Sequence, residues 1–190
     1  MTRWPLLTGL WALAAGLAVA LPSTALDWQP ALAGSQPWRF FSAAFVHWSA
    51  QHLIANLAGC ALLAWLGAAA RLPARCSTAW LLAWPLTQAG LLAWPTLTRY
   101  GGLSGLLHAG AAIAVLELLG QRRGVDRAIG AALAAGLLLK LWLEHPLAEP
   151  ALREVAGWDI QLAPAAHLSG ALAGALAWAI SVLAARTRRA

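Results

Sequence analysis

Charged side chains are scarce in this chain of 190 residues: they make up 11% of it, and only seven are acidic. A soluble domain carries about 25% charged residues, so too few are present to cover a water-facing surface. No stretch is long and polar enough to form a separate soluble domain. Apolar stretches of about 20 residues, the length that crosses a bilayer as one helix, recur throughout. The sequence therefore predicts an all-α membrane protein with one membrane domain over residues 1–190.

Cysteine is also rare, with Cys60 inside an apolar run and Cys76 beside a basic loop that is expected to face the reducing cytoplasm. This usage argues against a disulfide framework or a thiolate metal site and predicts two free packing thiols. The net charge of +6 does not predict nucleic-acid binding. The arginines lie at the ends of apolar runs, which is typical of topology signals, and they form no basic stripe.

The apolar stretches predict six membrane-spanning helices, at residues 4–21, 50–70, 77–94, 103–119, 128–143 and 164–185. Residues 1–25 allow a second interpretation, because a basic start, an apolar core and small residues near Ser23 resemble a cleavable signal peptide. The apolar stretch is long for a signal peptide and ends at Pro22, which favours a retained first helix.

The arginine distribution predicts the orientation, because cytoplasmic loops carry an excess of basic residues. With the N-terminus inside, nine arginines are cytoplasmic: Arg3, Arg71, Arg75, Arg122, Arg123, Arg127, Arg186, Arg188 and Arg189. Three are external: Arg39, Arg99 and Arg153. Both termini are thus expected in the cytoplasm. Lys140 and Glu117 lie near span ends, where their side chains are expected to reach the interface.

Two polar residues inside predicted spans are candidates for catalysis. Ser104 lies in Gly-Gly-Leu-Ser-Gly, residues 101–105, where an outer loop becomes the fourth helix and where Gly102 and Gly105 permit a tight turn. His167 opens the sixth span and is followed by Gly170 and Gly174, a spacing that lets helices pack closely. Such packing is expected to bring serine and histidine within hydrogen-bond reach, with imidazole as the base that activates the hydroxyl.

A third polar cluster comprises His47, His52 and Asn56 at the start of the second span. His52 and Asn56 are four residues apart and share one helical face, where both can donate hydrogen bonds to a developing oxyanion. The alternative is a metal site formed by His47, His52 and His167. No carboxylate or thiolate accompanies these histidines at ligand spacing, so no metal and no cofactor is expected.

These motifs, together with Trp38-Arg39 in the first outer loop, resemble the signature of rhomboid intramembrane proteases, in the family's order and across nearly the whole chain. The resemblance implies a six-transmembrane-helix bundle and a Ser104–His167 dyad without a third acid. It also implies an oxyanion hole from His52, Asn56 and the Ser104 amide. Trp38 and Arg39 would be structural loop anchors, and His47 a supporting residue. Transmembrane protein substrates and membrane lipids would be the partners, with no nucleic acid.

His108 departs from the family pattern, because rhomboids usually have tyrosine four residues after the nucleophile, stacked on the catalytic histidine. Support of His167 is the favoured role, and a role as the base is the alternative. The Ser-Gly-x-Leu-His pattern resembles the rhombosortase branch. That resemblance implies a bacterial-type inner membrane protein whose site opens to the periplasmic side. Its clients would carry a C-terminal Gly-Gly motif, one helix and a basic tail.

Three other functions remain open at this level. A general rhomboid protease would have other clients, and a rhomboid-like protein without proteolytic activity would bind membrane helices. Such silent relatives lose the serine or the histidine, whereas this chain has both. A small transporter or channel is the third, but no convincing internal repeat of the transporter kind is present.

Overall fold

The computed structural model describes residues 3–120 and 124–187, and within these ranges the chain is helical, with no β-strand. Among them are six helices of fifteen residues or more: α1 (Trp4–Ala18), α2 (Ala50–Ala69), α3 (Ala74–Gly90), α4 (Ser104–Leu119), α5 (Gly124–Glu144) and α6 (Pro164–Thr187). Short helices at Ser23–Leu26 and Arg39–Ser42 lie in the first loop. Arg122, Arg123, Arg188 and Arg189, which contribute to the predicted orientation, lie outside the described residues.

Each predicted span coincides with one of these helices, and most differences are at the ends. Helix α1 stops at Ala18, three residues short of the prediction, and α3 begins after Pro73 and ends at Gly90. Pro73 has an extended backbone and directly precedes α3, and Pro164 is the first residue of α6, where its missing N–H removes no helical hydrogen bond. Helix α2 begins where the Ser49 hydroxyl accepts a hydrogen bond from the backbone of His52.

Only α2 and α6, among the described helices, are both long and apolar enough to cross a bilayer by length and composition alone. Helices α1 and α4 are apolar but shorter, with 15 and 16 residues. At 1.5 Å per residue they extend about 24 Å, somewhat less than the hydrocarbon core of about 30 Å. The helix positions agree with the prediction, but a count of six membrane spans does not follow from them.

The outward faces of α1 and α6 are apolar. On α1, the side chains that point outward are 53–66% exposed: Leu6, Leu10, Leu13 and Leu17. On α6 the exposed apolar residues are Leu172, Leu176, Ile180 and Leu183. The opposite face of α1 carries Trp4, Thr8, Trp11 and Ala15, all buried. Continuous apolar stripes of this size are unfavourable in water, so they are typical of surfaces that contact lipid.

Helix α4 lies at the centre, with eleven of its sixteen residues buried. Tryptophans join α1 to the rest of the core, since Trp4 stacks on Trp80 at a centroid distance of 4.1 Å. The Trp4 indole also donates to the carbonyl of Leu63, 2.8 Å away. Such integration favours α1 as a retained helix over a removable signal peptide. Cys60 and Cys76 are buried free thiols, which confirms the prediction for both.

Glu117 does not reach the interface, and that expectation was wrong. Its carboxylate is only 4% exposed, accepts from the Arg75 guanidinium at 2.7 Å and accepts from the Trp178 indole at 3.1 Å. A buried carboxylate needs such partners because desolvation penalises its charge. Arg39 is likewise buried, paired with Asp27 at 2.9 Å, so it anchors the first loop from within and not from the surface. Trp38 is 49% exposed.

Candidate active site

The turn before Ser104 requires glycine at position 102. Ser104 is the first residue of α4, and Gly102, two residues before it, has φ +124°, a conformation that side chains rarely adopt. A Cβ on Gly102 would also lie 2.6 Å from the His52 ring. Glycine at position 102 therefore lets the turn form against His52, which places the start of α2 beside the start of α4.

Tyr100 contacts the serine hydroxyl, a relationship that sequence reasoning missed. Its phenol donates to the carbonyl of Gly102 at 2.9 Å and accepts from the amide of Gly105 at 3.2 Å. The Ser104 Oγ lies 3.3 Å from the same oxygen and, since the phenol's one proton is used, donates to it. Burial raises the pKa of Tyr100, so the phenol stays protonated. The sequence offered one sign that Tyr100 has a special role, because it is the only tyrosine in the chain.

Helices α4 and α6 meet backbone to backbone at the predicted glycines. A Cβ on Gly170 would lie 1.9 Å from the carbonyl oxygen of Gly105, and one on Gly174 would lie 2.3 Å from that of Ala109. This confirms the close packing predicted from their spacing. His167, 8% exposed, lies one turn before Gly170 and so faces the first turn of α4. Among the described contacts no hydrogen bond joins His167 to Ser104, whose hydroxyl bonds Tyr100.

Glu144 is the last residue of α5, and no sequence motif marks it as a site residue. Its Oε2 lies 2.7 Å from Nδ1 of His167, and its other oxygen accepts from Lys140. Burial alone would raise the pKa of Glu144, but the hydrogen bonds and charges of His167 and Lys140 outweigh it and lower the pKa to about 2. A carboxylate at neutral pH only accepts hydrogen bonds, so Nδ1 of His167 is the donor.

His108 lies between the two candidate catalytic residues. Its ring stacks on that of His167, with centroids 4.1 Å apart and planes 13° apart, and its Nδ1 donates to the carbonyl of Ser104 at 2.7 Å. This is the stacked arrangement that a supporting role requires. The role itself stays a prediction.

The polar cluster on α2 lies against the Ser104 turn. The Asn56 amide donates to the carbonyl of His52 and to Nε2 of His47, both at 3.1 Å. His47 in turn donates from Nδ1 to the carbonyl of Phe45 at 3.1 Å. Burial lowers the pKa of His47, which keeps the ring neutral and its Nε2 able to accept. Nδ1 of His52 is buried without a hydrogen-bond partner among the described residues.

The three histidines weighed as a metal site do not form one group. Within the described part of the chain, the residues at metal-ligand spacing are His108, Glu144 and His167, with ligand atoms within 4.8 Å of one another. Ring nitrogens bind a metal in the ring plane, and two nearly parallel stacked rings do not direct their lone pairs to one point. The arrangement fits stacking better than ligation.

Comparison with known proteins gives one positive result. A family model described as the rhomboid domain matches residues 34–184. A search of curated proteins found none that matches the chain. The matched range includes α2 to α6 except the last residues of α6, and it contains the Ser104 turn, the α2 cluster, His108, Glu144 and His167. The helical architecture, the apolar outer faces and this match together establish that the chain belongs to the rhomboid family, the integral membrane proteins that include serine intramembrane proteases.

Proposed function

We propose that the protein is an intramembrane serine endopeptidase that cleaves membrane-anchored proteins within or near a transmembrane segment. Ser104 is the nucleophile, and His167 is the base and then the acid. The observation that carries this assignment is the backbone contact of α4 and α6 at Gly105 and Gly170. It sets the first turns of the two helices face to face at one end of the bundle.

In the reaction, the Ser104 hydroxyl leaves Tyr100 by rotation about its Cα–Cβ bond and turns toward Nε2 of His167. Because Nδ1 donates to Glu144, Nε2 is the nitrogen that carries the free lone pair. His167 takes the hydroxyl proton as the oxygen attacks the scissile carbonyl, and later gives that proton to the leaving amine. Orientation of the His167 ring by Glu144 and His108 lowers the entropic cost of the attack.

The oxyanion hole consists of His52, Asn56 and the backbone amide of Ser104. The first amides of a helix have no intrahelical acceptor, so that of Ser104, the first residue of α4, is available to a negative oxygen. His52 contacts the Gly102 turn and has an unpartnered Nδ1, and Asn56 lies one turn further along α2. When an oxyanion forms, it replaces Nε2 of His47 as the acceptor of the Asn56 amide.

The bundle crosses the membrane six times, with both termini in the cytoplasm and the site open to the periplasmic side of a bacterial-type inner membrane. Short helices such as α1 and α4 span by local thinning of the bilayer, which costs only fractions of a kcal/mol per Å of mismatch. Arg39, Arg99 and Arg153 are then the external basic residues. Arg39 and Arg99 both pair with Asp27, and Arg153 with backbone carbonyls, so all three have structural partners.

The client class that fits best is the rhombosortase type. These substrates carry a C-terminal Gly-Gly motif, one helix and a basic tail, and the enzyme removes this anchor. The pattern from Ser104 to His108 supports the assignment. Two model substrates test it, one with the Gly-Gly motif and one with both glycines replaced by leucine. Preferential cleavage of the first is expected, and equal cleavage of both would favour a general rhomboid protease.

Purified protein in detergent, incubated with the Gly-Gly substrate, tests the mechanism. Ser104→Ala and His167→Ala should each abolish cleavage while the proteins remain inserted and folded. Ser181→Ala, near the other end of α6, is the matched serine control. His145→Asn is the matched histidine control, because residue 145 is exposed and has a positive φ that asparagine tolerates. Near wild-type cleavage by either active-site variant would show the mechanism to be wrong.

A further inference from the structure

We propose that Glu144 is a positioning residue that completes a Ser104–His167–Glu144 arrangement, holding the imidazole in its reactive tautomer and stabilising it when protonated. The inference rests on the proposed protease function and adds a carboxylate to the Ser-His pair. It begins with the 2.7 Å contact between Glu144 Oε2 and His167 Nδ1.

The contact determines which nitrogen of His167 is free. An ionised carboxylate has no proton to donate, so the proton of the neutral imidazole resides on Nδ1 and Nε2 keeps its lone pair. Stacking on His108 limits the tilt of the ring out of its plane, at a centroid distance of 4.1 Å. The carboxylate limits rotation within that plane. Together the two contacts leave the His167 ring one well-defined orientation.

Glu144 is itself held in place from two sides. Its Oε1 accepts from Lys140, one turn earlier on α5, while Oε2 has His167 as its one partner among the described residues. The Arg153 guanidinium donates to two backbone carbonyls at the end of α5, that of Glu144 at 2.8 Å and that of His145 at 2.7 Å. Glu144 therefore does more than form a surface ion pair with Lys140, because His167 and Arg153 from outside α5 also bond to it. The carboxylate is 21% exposed, so water screens it only in part.

The proton balance of the step is simple. The Ser104 Oγ–H bond breaks as Oγ bonds to the scissile carbonyl carbon, and the proton moves to Nε2 of His167. The resulting imidazolium donates from Nδ1 to the Glu144 carboxylate, which stays ionised throughout. The proton then moves from Nε2 to the amine nitrogen as the scissile carbon–nitrogen bond breaks. This leaves an acyl-enzyme on Ser104, which water hydrolyses with His167 again as the base. Glu144 therefore acts through charge and orientation, and it exchanges no proton.

Other charges around the imidazole are unchanged by a substitution at position 144. Besides Glu144, the titratable groups whose charge acts on His167 or on its stacked partner are His52, His108 and Lys140. Replacing Glu144 by glutamine removes one negative charge beside the imidazolium and keeps the shape. The imidazolium that forms during the reaction is then less stabilised, so kcat is expected to fall.

The test compares Glu144→Gln and Glu144→Asp with the wild type, with Glu149→Gln as the matched control. Glu149 is an exposed acid on the same outer side whose carboxylate accepts from Thr96. Three quantities are measured in detergent: kcat and KM on a transmembrane substrate, and the labelling rate of Ser104 by a fluorophosphonate. Thermal unfolding is recorded for every variant.

For Glu144→Gln, kcat and the labelling rate should fall roughly ten- to hundredfold, with KM within about threefold of wild type and an unchanged unfolding temperature. Glu144→Asp should recover part of the loss, and Glu149→Gln should equal wild type. Full kcat in Glu144→Gln, or an effect on KM alone, would overturn the proposal. If wild type neither cleaves nor labels, or if Ser104→Ala is active, the protease function itself fails instead.

Discussion

The rings of His108 and His167 stack face to face, 4.1 Å between centroids and 13° between planes, at the interface of α4 and α6. His108 occupies the position where other rhomboids usually have tyrosine, one helical turn after the serine. Since its Nδ1 also donates to the carbonyl of Ser104, His108 joins the turn of the proposed nucleophile to the ring of the proposed base.

If His108 supports His167, the ring face is what matters. His108→Tyr should keep substantial activity, whereas His108→Ala should lose roughly tenfold or more, as other partners that orient histidines do. The measurement is cleavage at matched expression, with His167→Ala alongside. A tyrosine variant as inactive as alanine, together with an active His167→Ala, would instead make His108 the base.

Tyr100→Phe should loosen the turn that holds Ser104. The phenol satisfies the buried Gly102 carbonyl and the Gly105 amide, so its loss should lower the free energy of unfolding by about 1–3 kcal/mol. We expect kcat to fall severalfold because the turn that carries Ser104 loses these two hydrogen bonds. Thermal unfolding and steady-state kinetics measure the two effects. Ser35→Ala, which removes an exposed hydroxyl, is the control. Unchanged stability would mean that water replaces the phenol.

The oxyanion assignment predicts a loss of turnover more than of affinity. His52→Ala and Asn56→Ala should each lower kcat by about one to three orders of magnitude, with KM less affected. Asn56→Ala should also cost some stability, since Asn56 holds His47. Variants with raised KM and normal kcat would place these residues in substrate binding.

Gly170→Ala should separate α4 from α6. The added Cβ would meet the Gly105 carbonyl at 1.9 Å, a backbone contact that no rotamer change relieves. We expect destabilisation of about 1–3 kcal/mol or more and loss of activity, because His167 moves away from Ser104. Gly136→Ala on α5 is the matched control, since a Cβ there meets nothing within 4 Å. Full activity of Gly170→Ala would contradict the role given to the helix contact.

The orientation is tested with reporter fusions. A reporter after residue 190 should read cytoplasmic, and one within residues 144–163 should read external, as the arginine distribution predicts. A cytoplasmic signal from residues 144–163 would reverse the bundle and would place the mouth of the site on the inner side.

The sequence alone determined the class of the protein and the approximate positions of its helices, because low charge and long apolar runs are local properties that need no fold to be recognised. Gly170 and Gly174 also predicted the contact of α4 with α6, since small residues one turn apart are the condition for close backbone approach. Ser104 and His167 are candidates because each lies in a local motif.

The tertiary structure alone decided the partners of the polar groups. Tyr100 reaches Ser104 because the loop bends at Gly102, and Glu144 reaches His167 although 23 residues separate them. Glu117, expected at the interface, is buried because Arg75 and Trp178 come to it from other helices. No period or spacing along a chain specifies which side chains meet across helices. Packing sets those meetings, and burial then requires each polar group to find a partner.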